Sequence, residues 1–328
     1  MQTLELADSI RQGDRFALSK AITLIESDHK EDRLQAYGII RSILPDAGAS
    51  LRIGITGSPG VGKSTFIESF GMYITQQQKR LAVLTIDPSS RTTRGSILGD
   101  KTRMTELGRN SLAFIRPTAA GDSQGGVART TRETIMLCEA AGFDLVVVET
   151  VGVGQSEFAV RDLVDFFLLL IHPGAGDELQ GMKRGVMELA DAIIVTRADG
   201  SNKAAGEKAR TMYQNALQLF TPPDSGWNVP VQTCSALTGE GISEVWGVIM
   251  NFQRKSVESG SLKARRNQQD IKWFNDALDA LVKEKIGSSP ELAARKAKFE
   301  EEITQRKIAP SEAAFRLFNE FENFSQRR

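Results

Sequence analysis

Residues 57–64 read Gly-Ser-Pro-Gly-Val-Gly-Lys-Ser and match the pattern G-x-x-x-x-G-K-[ST] at every position. That pattern has physical meaning only where a strand hands over directly to a helix. The apolar run 51–56 precedes it, and a helix is expected to begin near Lys63. The glycines let backbone N–H groups turn inward around phosphate oxygens. The helix N-terminus adds its partial positive charge. Lys63 is expected to reach the β- and γ-phosphates of a nucleotide, and the Ser64 hydroxyl to ligate Mg²⁺. Gly57, Ser58, Pro59, Gly60, Val61, Gly62 and Thr65 complete the expected nucleotide-binding segment. A plain glycine-rich turn would account for the glycines but not for Lys63-Ser64 in this context.

The rest of the chain supports the same architecture. Short apolar runs at 51–56, 81–86, 145–148, 166–171 and 192–195, with a weaker one at 229–234, are mostly separated by helical stretches. Such alternation implies an α/β fold with a doubly wound, mostly parallel sheet covered on both faces. Residues 1–49 read as amphipathic helices, and Pro45 should stop the second of them. Beyond about Leu262 the strands cease and the chain is charged and helical. The expected organisation is an N-terminal helical extension over 1–49, the phosphate-loop domain over 50–258 and a C-terminal helical arm over 259–328. Within the arm, Trp273, Phe274, Leu278 and Leu281 form an apolar stripe that needs covering.

Lys+Arg and Asp+Glu both number 41, so the formal charge is zero. That argues against nucleic acid as an obligate partner. No apolar run approaches the ~20 residues of a membrane span. The two cysteines, Cys138 and Cys234, lie far apart in apolar stretches, and no signal peptide is evident. Buried, inert thiols in a reducing cytoplasm are expected.

Ligands of open α/β sheets sit at the carboxyl ends of strands. Asp87 and Glu149 end two of the runs, and Asp100 lies in the glycine-rich segment 95–103. All three are candidate Mg²⁺ ligands beside Ser64, directly or through water, because Mg²⁺ takes hard oxygen donors. Capping and turn formation explain Asp87 and Asp100 equally well. Glu149 opens Glu-Thr-Val-Gly152, a D-x-x-G pattern with Glu in place of Asp. There the Gly152 amide would sense the γ-phosphate, and the run 152–156 would order on it. Lys63, Glu149, Asp100 and Gln155 are the catalytic candidates.

Thr196-Arg-Ala-Asp199 follows the run 192–195, where a guanine-reading N-K-x-D would stand. A carboxylate at Asp199 can accept from guanine N1–H and the 2-amino group, a donor pair that adenine lacks. Arg197 offers an aliphatic stem and planar head to cover the base. Thr196 replaces the Asn that usually braces this loop, so a weakened grip on nucleotide is expected. Ser235, Ala236 and Leu237 resemble the last guanine loop, where a backbone N–H meets O6.

Several long segments resemble the MeaB/ArgK G proteins: 149–156, Asp87-Pro-Ser-Ser90, 95–104, Met136-Leu-Cys-Glu-Ala-Ala-Gly142 and Pro173-Gly-Ala-Gly-Asp-Glu-Leu-Gln-Gly181. The likeness runs from about residue 10 to 275. It implies a homodimeric GTPase that uses GTP/GDP and Mg²⁺. It also implies a chaperone for an adenosylcobalamin-dependent acyl-CoA mutase, chiefly methylmalonyl-CoA mutase, gating cofactor loading and protecting the mutase. Carried over, it places Lys63, Ser64, Asp87, Asp100 and Glu149 at phosphate and Mg²⁺, and Asp199 at guanine. Asp177, Gln180 and Lys183 fall in a switch that communicates with the mutase, and the C-terminal arm makes the dimer. Without the resemblance, residues 177–183 read as a loop opening a helix, with Asp177 as N-cap. A nickel-insertion G protein would need clustered Cys and His, and His29, His172, Cys138 and Cys234 are scattered. A small-molecule phosphotransferase would need an acceptor pocket and a base, and a protein-targeting GTPase a Met-rich amphipathic domain; neither is evident.

Overall fold

The computed structural model describes residues 2–27, 29–87, 104–119, 124–150, 156–174, 184–219 and 226–326. It divides into two compact units, Met1–Gln269 and Asp270–Arg328. The first is built on one seven-stranded sheet in the order β3-β2-β4-β1-β5-β6-β7. The strands are β1 (Leu51–Gly57), β2 (Leu81–Asp87), β3 (Ala113–Ala119), β4 (Leu145–Glu149), β5 (Phe166–Ile171), β6 (Ala192–Val195) and β7 (Val231–Thr233). Every pairing is parallel. The central strands β1, β4 and β5 are buried at every residue, as their unbroken apolar runs require.

Alternation along each strand divides two cores. Ile53, Ile55, Val83 and Val147 face α4 (Lys63–Gln76), α5 (Thr105–Arg109) and α10 (Ile242–Glu258), where Phe66, Phe70, Leu107, Trp246 and Phe252 pack. Ala82, Leu84, Val146, Val148 and Phe167 face the other side. There they meet α1 (Gln2–Arg11), α2 (Arg15–Glu26), α3 (Lys30–Ile43) and α6 (Gln124–Ala140) through Ile10, Ile22, Ile25, Ile39 and Leu137. The N-terminal helices thus close one face of the sheet. Asp14 fixes the start of α2 by accepting from the Phe16 and Ala17 amides.

The strand order reverses around β1, which lies between β4 and β5, so the carboxyl ends of these three strands form the crevice where ligands bind. The amino end of the sheet carries a polar latch. Asp165, fully buried just before β5, accepts from the Arg52 amide at 2.8 Å and from both arms of Arg266 at 2.7 and 2.6 Å. Arg266 belongs to α11 (Ser261–Ser288), whose Gln269 also donates to the Val164 carbonyl at 2.9 Å. The opening turns of α11 are therefore part of the first unit.

Sequence periodicity yields six strands, and the seventh is β3. Arg116 and Pro117 interrupt its apolar run. It is an edge strand, where a residue without an N–H is tolerated; Pro117 pairs with Thr85.

In the second unit, α12 (Pro290–Thr304) packs on α13 (Pro310–Gln326). Leu292, Phe299 and Ala313 are buried, and Arg295 pairs with Glu320 at 2.8 Å. Phe274, Leu278 and Leu281 of the expected stripe stay exposed, at 64%, 48% and 49%. No helix among the described residues is long and apolar enough to cross a membrane.

Candidate nucleotide site

The phosphate loop leaves β1 at Gly57, where a Cβ would lie 2.5 Å from the Leu170 carbonyl oxygen of β5, so only glycine allows the strands this approach. Gly62 enters α4 with φ of 100°, a left-handed conformation that turns the loop into the helix. Lys63 is buried, and its ammonium donates to the carbonyls of Gly57 at 2.7 Å and Ser58 at 3.3 Å. Burial lowers its pKa, while the fields of Glu149 and Glu157 oppose that shift.

The Ser64 hydroxyl donates to a Glu149 carboxylate oxygen at 3.2 Å, bringing together residues from the ends of the loop and of β4. Adjacent ligands in a Mg²⁺ octahedron with ~2.1 Å bonds stand about 3 Å apart, so this oxygen pair fits such an ion. Asp87 ends β2 as expected. Its side chain, and Asp100, Gly152, Gln155, Asp177, Gln180 and Lys183, lie outside the described residues. Among the described residues no group of three or more His, Cys, Asp or Glu could hold a metal.

The loop expected to read the base follows β6. Thr196 is buried, with its hydroxyl oxygen 2.8 Å from the Val61 carbonyl and 3.1 Å from that of Ile171. One hydroxyl proton serves one of them at a time. Arg197, at φ of 55°, sends its guanidinium back to the Gly60 carbonyl at 2.5 Å. The base loop is thus tied to the phosphate loop at two successive residues. The Thr196 hydroxyl supplies a brace between the two loops at the position where Asn was expected to do so.

Asp199 accepts from the Ser235 hydroxyl at 2.5 Å. Ser235 is fully buried, and its amide donates to the Glu240 carbonyl at 2.8 Å. The Ala198 amide donates to the Cys234 carbonyl at 3.1 Å. These bonds fix the loops after β6 and β7 against each other, with one Asp199 oxygen held by Ser235. Ala236 is half-buried and Leu237 is exposed. Cys138 and Cys234 are both free and buried, and burial pushes the Cys234 thiol up to about 12. His172 accepts from the Gly174 amide at 2.9 Å, a structural role at the end of β5.

Sequence reasoning missed Glu157. It lies in α7 (Ser156–Arg161), is 6% exposed, and has an Oε2 buried without a hydrogen-bond partner. Its position directly after the 149–156 segment was the available signal.

The chain is similar to several known proteins. The family model described as methylmalonyl Co-A mutase-associated GTPase MeaB matches residues 18–291. GTPase ArgK of Escherichia coli is 47% identical over 280 residues, which cover 84% of this chain and 85% of that protein. The mitochondrial methylmalonic aciduria type A homolog of Mus musculus is 42% identical over 322 residues, covering 95% and 78%. A crystal structure titled LAO/AO transport system kinase superposes with a TM-score of 0.79 at 34% identity, over 98% of this chain and 97% of that one. A phosphate loop braced to a base loop that carries Asp199, together with a match over most of its length, makes this chain a member of the MeaB family of P-loop GTPases.

Proposed function

We propose that this GTPase is a chaperone for an adenosylcobalamin-dependent acyl-CoA mutase, methylmalonyl-CoA mutase or a close relative, gating cofactor loading and protecting the mutase. The family match over 18–291 carries the reading, since that family is described as mutase-associated. GTP and GDP occupy the loop 57–65, with guanine held by Asp199 and the loop Ser235–Leu237. Mg²⁺ binds at Ser64 and Glu149, completed by Asp87 and Asp100. Bound there, the ion would neutralise charge on the phosphate oxygens. Lys63 supplies the side-chain cation, and Gly152 and Gln155 respond to the γ-phosphate.

Asp177, Gln180 and Lys183 form the surface that reports nucleotide state to the mutase. A partner reads that state only if it binds the two states differently, and linkage makes the effect reciprocal. The exposed stripe at Phe274, Leu278 and Leu281 is the homodimer contact. Two free, buried cysteines suit a reducing cytoplasm.

The test is the GTPase rate with and without the cognate mutase, for wild type and Lys183→Ala. The mutase is expected to accelerate wild-type hydrolysis. Lys183→Ala should lose the acceleration and keep the intrinsic rate. A mutase that neither copurifies with the protein nor alters its turnover defeats the reading.

A further inference from the structure

One oxygen of the Glu157 carboxylate, Oε2, is buried without a hydrogen-bond partner. A buried carboxylate oxygen without a donor is costly, and its persistence points to a missing water, ion or reacting group. Neighbouring side chains define its place. A Cβ built on Gly54 of β1 would meet Val160 at 3.1 Å and Val164 at 3.0 Å, so this segment lies across β1. Glu157 stands three residues before Val160 on the same helical face, about 4.5 Å along the axis. In a parallel α/β sheet the helix runs back against its strands, so that displacement is toward the carboxyl end of β1 and the phosphate loop. The Glu157 charge does bear on the Lys63 ammonium there, as does that of Glu149. Lys63 itself bonds to the loop carbonyls of Gly57 and Ser58, so it does not satisfy the Glu157 oxygen.

With nucleotide in the loop, Lys63 turns to the phosphates. Glu157 then faces phosphate oxygens that only accept hydrogen bonds. A water between these two acceptors can donate to both. From this arrangement we infer that Glu157 is a further catalytic residue, holding by its buried carboxylate the water that attacks the γ-phosphorus. The water oxygen bonds to phosphorus as the bond to the β–γ bridging oxygen breaks. GDP leaves, and the water proton passes by way of the carboxylate to the departing inorganic phosphate. The inference rests on the GTPase assignment and adds a residue that the motifs 57–64 and 149–152 do not contain.

The experiment compares wild type, Glu157→Gln and Glu157→Asp in single-turnover GTP hydrolysis and in titration with fluorescent GDP. Glu157→Gln keeps the shape and removes the proton acceptor. Its kcat should fall roughly a hundredfold while GDP affinity stays within about twofold. Glu157→Asp withdraws the carboxylate by one methylene and should also lose rate with GDP affinity retained, which covers the case in which the Gln variant does not fold. Wild-type kcat in either folded variant overturns the proposal. So does a loss of GDP affinity that parallels the loss of rate, since that marks a structural role. A wild-type protein that binds no GDP would instead overturn the nucleotide site itself, and this proposal with it.

Discussion

The Thr196 hydroxyl stands 2.8 Å from the carbonyl oxygen of Val61, and this contact ties the loop after β6, the expected base reader, to the phosphate loop. Both residues are buried, so the bond works in a low-dielectric setting where an unpaired carbonyl is costly. A nucleotide touching both loops finds them already positioned. Arg197 adds a second tie one residue on, through Gly60.

Thr196→Val keeps the side-chain volume and deletes the donor. Losing one buried hydrogen bond costs about 1–2 kcal/mol, so GTP and GDP should both bind roughly tenfold more weakly. Fluorescence titration of the variant against wild type measures this. Unchanged affinity for both nucleotides would mean that the loops are preorganised by other contacts.

Asp199 is the residue proposed to govern base choice. Ser235 donates to one of its oxygens and so sets the carboxylate's orientation. Asp199→Asn puts an N–H₂ where an acceptor is needed, and an amide cannot accept from both guanine donors. Wild type should prefer GTP to ATP by a wide margin, and the variant should lose most of that preference. Competition of GTP and ATP for the loaded protein decides it; equal affinities in wild type would remove Asp199 from the base site.

Some features of the candidate site can be read from the chain alone and others cannot. A phosphate loop is local in sequence: Gly57 to Ser64 must be contiguous because successive amides wrap one anion. Glu149 and Asp199 are legible because strand ends are where ligands meet an α/β sheet. What Thr196 does was not legible, because its partner Val61 is 135 residues away. Glu157 was hidden because its burial cannot be read from its neighbours in the chain. A glutamate opening a six-residue helix looks like any first-turn acid until burial and a missing donor are known. The strand Ala113–Ala119 escaped because Pro117 reads as a breaker, and only its edge position makes it tolerable.

Glu133 gives the fold a pH dependence with a definite sign. Burial pushes its carboxyl up to about 7 from an ordinary 4.5, against the fields of Arg129 and Arg33. The folded state therefore binds the proton more tightly than the unfolded state. Between pH 4.5 and 7 the unfolded chain holds fewer protons at this site, so its contribution to stability falls as pH rises and levels off above 7. Glu133→Gln should flatten that part of the wild-type curve. Relative to wild type it should raise Tm at pH 8 and leave it nearly unchanged near pH 4.5. A difference between the two proteins that does not vary with pH would show that Glu133 does not titrate in this range.

The boundary of the C-terminal arm follows from the latch at Asp165. This carboxylate is fully buried, and Arg266 supplies both of its charged partners' bonds, at 2.7 and 2.6 Å. Arg265 adds a bond to the Asp165 carbonyl and approaches Asp191 at 3.5 Å. A truncation that removes 262–328 deletes these cations and leaves a buried charge uncompensated, which costs about 3–5 kcal/mol. A truncation after Gln269 keeps them and removes only the second compact unit with its exposed stripe. The two truncations should therefore behave differently. Residues 1–269 should bind GDP with near wild-type affinity and run as a monomer, while full-length protein runs as a dimer at micromolar concentration. Residues 1–261 should melt well below 1–269, and Arg266→Ala in the full chain should reproduce most of that loss. Light scattering and thermal melts on the four proteins provide the measurement. If 1–269 remains dimeric, the stripe at Phe274, Leu278 and Leu281 does not make the dimer; if 1–261 is as stable as 1–269, Asp165 is not held by Arg266 in solution.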